Sequence, residues 1–319
     1  MKSPAGAGLP QVLCIGETMA LVAPADGRPL AETGRVDLEL GGAESNVARY
    51  LADLGVHAAW LSVLGDDPLG ERIVRELGSS GVDVRWVRRR ADAPTGVFFK
   101  DPRPDGTRVH YYRRGSAASR MSAADAAGWP LESAAWVHVS GITPALSPDC
   151  SAVVDTVLDG AATHATTSLD VNYRPQLWPD RETAAHRLRA LADRADVVLV
   201  GLDEAESLWG TTTAESVADL LDTTPCVVVK DADREAVELL RPVPGGAPTV
   251  TRVRARQVEV VEAVGAGDAF AAGYIAATLR GEPSPERLAL GHSLAAWTLG
   301  THADYRPGHG PSVRPEEHT

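Results

Sequence analysis

Short apolar runs alternate with amphipathic stretches along most of this chain. Residues 11–15, 58–64, 136–140, 168–171, 197–200 and 226–229 are runs of the length and β-branched content expected of buried strands. Between them the apolar positions move to helical spacing. Val47, Leu51 and Leu54 share one face, with Gly55 as a stop. Ile73, Val74 and Leu77 follow Pro68, which suits a first helical turn. Further helices are predicted near residues 150–162, 181–194, 214–221 and 269–279, the last ending at Arg280-Gly281. A final helix begins at Ser284-Pro285-Glu286, with Ser284 as its cap and Leu288, Leu290, Leu294, Ala295 and Trp297 along it. Strands alternating with helices predict a mostly parallel sheet covered by helices on both faces, a three-layer α/β/α fold. Residues 95–99 and 108–113 flank the turn-rich Asp101-Pro102-Arg103-Pro104-Asp105-Gly106, a hairpin signal. The aromatic residues Phe98, Phe99, Tyr111 and Tyr112 suit a small sheet that covers something; core packing is the plainer alternative. No internal repeat or long linker divides the chain. The expectation is one domain, 1–319, with a small β lid from about 17–40 and 94–115.

Composition narrows the classes. At 319 residues, 44% hydrophobic and 23% charged, the chain can bury a sizeable core. A net charge of −12 argues against a nucleic-acid or anionic-membrane surface. Lys2, Lys100 and Lys230 are its only lysines, so nearly all positive charge is arginine, which grips carboxylates bidentately. Cys14, Cys150 and Cys226 lack metal-ligand spacing and are read as free thiols of a reducing compartment. With no signal-like N-terminus and no uncharged stretch of membrane-spanning length, a cytoplasmic location is expected.

Candidate chemistry concentrates in Val261-Glu262-Ala263-Val264-Gly265-Ala266-Gly267-Asp268. The β-rich residues 257–261 are read as a strand leading into it and residues 269–279 as a helix leaving it. Two glycines at a helix N-terminus let backbone N–H groups converge where the dipole is positive, which makes an anion site. A carboxylate behind it, Asp268, is costly beside a phosphate unless it handles a proton. The stretch alone leaves open a tight turn with an ordinary N-terminal acid. A second glycine turn, Gly41-Gly42-Ala43-Glu44-Ser45-Asn46, precedes the first helix. Other phosphate motifs fail. There is no Gly-Lys pair for a P-loop, Phe270 stands where a dinucleotide fingerprint needs glycine, and no Gly-x-Ser-x-Gly elbow occurs. An anion hole with an adjacent carboxylate remains, which is what phosphoryl transfer to an alcohol requires.

Gly265-Ala266-Gly267-Asp268-Ala269-Phe270-Ala271-Ala272-Gly273 resembles the C-terminal signature of the ribokinase-like (PfkB) carbohydrate kinases. Gly41-Gly42-Ala43-Glu44-Ser45-Asn46, with Leu54-Gly55 and Gly65-Asp66-Asp67-Pro68-Leu69-Gly70, resembles the N-terminal one. Within that family, three further stretches resemble members that act on 2-keto-3-deoxygluconate. They are Tyr111-Tyr112-Arg113-Arg114-Gly115-Ser116, Ser140-Gly141-Ile142-Thr143-Pro144 and Asp170-Val171-Asn172-Tyr173-Arg174-Pro175. The resemblance implies phosphoryl transfer from ATP with Mg2+ to the primary hydroxyl of a keto-deoxy sugar acid. It implies Asp268 as general base and the amides of Gly265, Ala266 and Gly267 as anion hole. It places Gly42, Asn46, Phe98, Tyr111, Arg113, Arg174 and Asp304 on the sugar, and Lys230, Gly265, Gly267 and His292 on the nucleotide. It also implies homo-oligomers paired through the lid. Independently, a 2-keto acid carries a carboxylate that two arginines could hold bidentately. Each arginine has a plainer alternative, as a solvated hairpin or loop residue. Other readings are a kinase for fructose, ribose or a nucleoside, and a non-catalytic descendant that binds sugar acids.

Several positions depart from the family pattern. Gly201 stands where an Asn is usual, while Glu204 keeps the Glu that helps organise Mg2+ and phosphate in relatives. Ala232 and Glu235 occupy the places of two glycines in a nucleotide loop; positive φ there would strain a side chain, and Glu235 would add repulsion. Glu262 replaces the more usual Asp at a position tied in some relatives to a monovalent cation such as K+. A lone helical His292 is more often simply packed, and His302 near Asp304 lacks further metal ligands.

Overall fold

The computed structural model describes residues 8–308, apart from 105, 162, 163, 244, 245 and 302. Among the described residues, eight strands form one sheet in the spatial order Thr249–Arg254, Glu235–Leu240, Cys226–Asp231, Val197–Gly201, Thr166–Asp170, Trp136–Ser140, Val12–Ile15 and Ala58–Leu61. The last six pair in parallel, and the first two are added at one edge through antiparallel pairings. The side-chain period of two divides each buried strand between two cores. Leu13, Ile15, Val137, Val139, Val198 and Val200 face the helices Pro148–Ala161, Arg181–Ala192, Leu202–Trp209 and Ala214–Leu220. Val12, Cys14, Trp136 and Leu199 face the helices Ala43–Asp53, Pro68–Ser79, Ala266–Leu279 and Ser284–Leu299. The expected three-layer, mostly parallel fold is therefore present.

A second sheet of four strands, ordered Val36–Gly41, Met19–Pro24, Val97–Arg103 and Gly106–Tyr112, is assembled from the two segments expected to form the small sheet. Its inner face carries Met19, Leu21 and Phe98.

The structure corrects three local expectations. Residues 58–64 are not one strand: the run breaks at Ser62, and Val63–Gly65 pairs instead with Arg88–Arg90. Residues 257–261 form no strand. The last strand ends at Arg254, and the following segment keeps Val258 and Val260 exposed with no sheet partner. Alternating valines fit a strand only where a neighbour offers its N–H and C=O groups. Ser284 does not cap its helix. Pro283 occupies the N-cap, and the Ser284 hydroxyl is drawn to the buried Glu238 carboxylate. The pattern also missed Glu235–Leu240 and Thr249–Arg254, an antiparallel pair outside the strand–helix rhythm.

The Ala266–Leu279 helix is buried from Asp268 through Ala277. A helix enclosed on every side must be apolar all round, and its alanines and glycines allow close neighbours. A Cβ on Gly273 would lie 2.8 Å from the Leu290 carbonyl oxygen. No helix among the described residues is long and apolar enough to cross a membrane.

Candidate active site

Ligand crevices in open α/β sheets lie beyond the carboxyl ends of the parallel strands, because helix N-termini and free loops converge there. Such a crevice, of about 430 Å³, opens between that edge and the four-stranded sheet. It is lined by Gly42, Asn46, Phe98, Tyr111, Arg113, Arg174, Glu204, Lys230, Gly265, Gly267, Asp268 and Asp304. Twelve positions singled out in the sequence, scattered from 42 to 304, thus meet in one cleft. Ala266 and His292 line a second cleft, of about 650 Å³. The two clefts share Glu204, Lys230, Ala263 and Gly267. His302 lies outside the described residues.

Asp268 sits in the first turn of its helix, 9% exposed, and accepts a hydrogen bond from Asn46 Nδ2 at 2.9 Å. Burial pushes its carboxyl up to about 7, against the stabilising Asn46 contact and with added repulsion from Asp170 and Glu44. The turn before it depends on Gly265, whose φ is +83° and whose missing Cβ would lie 2.0 Å from the Asp304 carbonyl oxygen. Only glycine tolerates both the left-handed backbone and that approach.

Asp304 is held by the chain that follows it. Tyr305 donates to Asp53 at 2.7 Å and lies under the Arg49 guanidinium, and the Arg306 N–H donates to Tyr50. Its carboxylate accepts from Lys100 Nζ at 2.8 Å, and the same ammonium lies 3.8 Å from Glu262. Glu262 therefore faces a lysine of the four-stranded sheet.

The cations around the cleft are matched by carboxylates. Lys230 pairs with Asp170 at 2.9 Å. Burial alone would depress Lys230, but Asp170 and Glu204 outweigh it and hold it above its ordinary value. Arg113 pairs with Glu17. Arg174 is half exposed; its Nη1 donates to the Tyr173 carbonyl and lies 3.5 Å from Glu204. Glu204 accepts the Tyr173 and Gly201 N–H groups, one on each oxygen, which makes it the N-terminal cap partner of the Leu202–Trp209 helix. Burial raises its pKa, opposed by Lys230.

The departures from the family pattern resolve differently from one another. Ala232 does adopt positive φ, +42°, in the tight turn closed by the Arg234 N–H to the Asp231 carbonyl. Glu235 begins a strand and pairs with Arg252 at 2.5 Å, so the repulsion expected of it is offset. His292 donates to the Val253 carbonyl at 3.1 Å and meets Phe270 edge-on; burial lowers its pKa.

Sequence reasoning gave no site role to four further cleft residues: Glu17, Lys100, Asp170 and Asn172. Asp170 ends a parallel strand, and Glu17 and Asn172 each lie two residues past the end of one, a positional signal that was available. Asn172 has φ +40°, and its Oδ1 is buried with no hydrogen-bond partner among the described residues.

A parallel α/β body joined to a small second sheet, with a charged cleft between them, is the build of a sugar kinase. The model of the pfkB family carbohydrate kinases matches residues 9–308, and the chain belongs to that family. Among its relatives, the 2-dehydro-3-deoxygluconokinase of Bacillus subtilis (strain 168) is 37% identical over 290 residues, 88% of this chain and 87% of that protein. The 2-dehydro-3-deoxygalactonokinase of Haloferax volcanii is 32% identical over 92% of each chain. A PfkB protein from Polaromonas sp. JS666 is similar in structure, with a TM-score of 0.82 and 35% identity over 90% of this chain and 95% of that one.

Proposed function

We propose that the protein transfers the γ-phosphoryl group of ATP to the primary hydroxyl of a 2-keto-3-deoxy sugar acid. The observation that carries this reading is the junction of the two clefts at Gly267 and Lys230, with Asp268 buried beside it. The first cleft takes the sugar acid and the second the nucleotide, so that the hydroxyl and the γ-phosphoryl group meet at the helix N-terminus. Asp268 accepts the hydroxyl proton. A carboxyl held near 7 suits that task, because a base poised near the working pH combines availability with basicity. The Gly265, Ala266 and Gly267 amides and the helix dipole stabilise charge on the migrating group. Arg113 and Arg174 receive the sugar's carboxylate, while Asn46, Phe98, Tyr111 and Asp304 line its remaining edges. The named activities of the Bacillus and Haloferax relatives support an acid of this class and leave either stereochemistry at C4.

Among the described residues no group of three or more His, Cys, Asp or Glu could hold a metal ion, and both Glu204 oxygens already accept backbone N–H groups. The site thus suits a Mg2+ that arrives on the nucleotide phosphates, with Glu204 reaching its water shell. Bound there, Mg2+ would offset charge on the β- and γ-phosphates. A monovalent cation such as K+ would have to share Glu262 with Lys100. The exposed Tyr112 and Val36 on the four-stranded sheet support pairing of two copies through it, which light scattering at micromolar concentration would test. The buried free thiols support a reducing, cytoplasmic setting.

An ATP-coupled assay with 2-keto-3-deoxygluconate, 2-keto-3-deoxygalactonate and fructose tests the substrate class. Turnover of a keto-deoxy acid should exceed that of fructose, and Arg174→Ala should raise KM for the acid alone. Preference for fructose would sink the sugar-acid reading; sugar binding without turnover would favour a non-catalytic descendant.

A further inference from the structure

We infer that Glu17 is a positioning residue that sets the preference for acidic sugars by holding the Arg113 guanidinium in one orientation; this rests on the sugar-acid reading above. Glu17 follows the Val12–Ile15 strand of the main sheet, and Arg113 follows the Gly106–Tyr112 strand of the small one. Their side chains meet between the two sheets. Arg113 Nε donates to Glu17 Oε2 at 2.7 Å, and Nη2 approaches the same oxygen. Ser116 Oγ donates to Oε1 at 2.9 Å, so each carboxylate oxygen has a protein donor. The Glu17 side chain has no exposed surface, whereas that of Arg113 is 11% exposed and lines the cleft.

A guanidinium has five N–H donors in a rigid fork. Glu17 takes the Nε side, which leaves the Nη1 end free, and that end matches a ligand carboxylate bidentately. Tyr111 fixes the group from another side: its ring centre lies 5.5 Å from Arg113 Cζ, and the ring stacks on Phe98 at 5.6 Å. An arginine already immobilised loses less freedom when it binds than one that must be ordered by the ligand. Two other roles are physically distinct. If Glu17 only offsets the Arg113 charge, removing it should tighten binding of an acid. If it only clasps the two sheets together, removing it should impair every kinetic constant alike.

The test is steady-state kinetics of wild type, Glu17→Gln, Glu17→Ala and Glu17→Asp with 2-keto-3-deoxygluconate, fructose and ATP·Mg2+. The expected result for the Gln and Ala variants is a KM for the acid raised about tenfold or more, with kcat and the KM for ATP within about threefold of wild type, and partial rescue by Asp. Should the Ala variant not fold, the near-isosteric Gln and the shorter Asp carry the same comparison. An acid KM that is unchanged or lower overturns the inference, as do parallel losses in acid KM, kcat and ATP KM. Both outcomes leave the sugar-acid reading standing. A wild type that favours fructose overturns that reading and this inference together.

Discussion

Replacing Asp268 by Asn should slow turnover by orders of magnitude and, at neutral to alkaline pH, stabilise the fold. Asn is close to isosteric and its oxygen can still accept from Asn46 Nδ2, so the perturbation removes charge and little else. Burial holds the Asp268 carboxyl at about 7, against an ordinary value of 3.8. Because the folded-state value lies above the unfolded one, the stability tied to this group is full below about pH 4 and is lost as pH rises through about 7. A shift of about 3 units at 1.36 kcal/mol per unit sets an upper limit of about 4 kcal/mol for the cost of the buried charge. Of that, about 2.5 kcal/mol develops between pH 5 and pH 8. An unfolding entropy of about 2.1 cal/mol/K per residue converts this into about 4 °C for a chain of this size. Thermal unfolding of both proteins at pH 5, 6, 7 and 8 therefore should show a gap in Tm that widens toward alkaline pH in favour of Asp268→Asn. The other titrating groups are common to both proteins and cancel in the difference. Turnover should fall by about 10²- to 10⁴-fold, and wild-type kcat/KM should climb with a midpoint at about pH 7 and level above it. A Tm gap independent of pH would refute the buried-charge argument, and equal turnover would refute the assignment of Asp268 as base.

Two further substitutions probe the surroundings. Ala232→Gly relieves a left-handed backbone at φ +42°, which costs a non-glycine residue about 1–2 kcal/mol; part of the gain is offset by unfolded-chain entropy, so Tm should rise by about 1 °C. A fall in Tm would show that the turn is unstrained. Lys100→Met leaves the buried Asp304 and its neighbour Glu262 without their ammonium, and chemical denaturation should report a loss of about 3 kcal/mol. A loss below about 1 kcal/mol would mean that water reaches and solvates those carboxylates.

Legibility followed locality. Trp136–Ser140 and Cys226–Asp231 are dense β-branched or aromatic runs, and their burial between two helical layers was readable from the run alone. Residues 257–261 and Thr249–Arg254 carry much the same alternation of valine with polar residues. One lines the second cleft without a strand partner, and the other is an edge strand. Nothing within either segment distinguishes them, because a strand is defined by the neighbour that accepts its hydrogen bonds. Beside the cleft, the Gly265 turn and the place of Asp268 in the first helical turn were legible because a helix N-terminus is built from consecutive residues. Glu17 and Lys100 were not, because their roles depend on partners far along the chain.

The amino-acid order by itself determined the layered α/β body, the two glycine turns and the family resemblance. Period, turn chemistry and helix starts are written in adjacent residues. Tertiary structure alone decided how the charges pair. Lys100 takes Asp304 across 204 positions, Arg113 takes Glu17 across 96, and Lys230 takes Asp170 across 60. With 43 acidic side chains available, composition cannot choose among partners. Burial can, since a cation removed from water must lie within a few ångströms of a carboxylate, and the fold brings only particular ones that close.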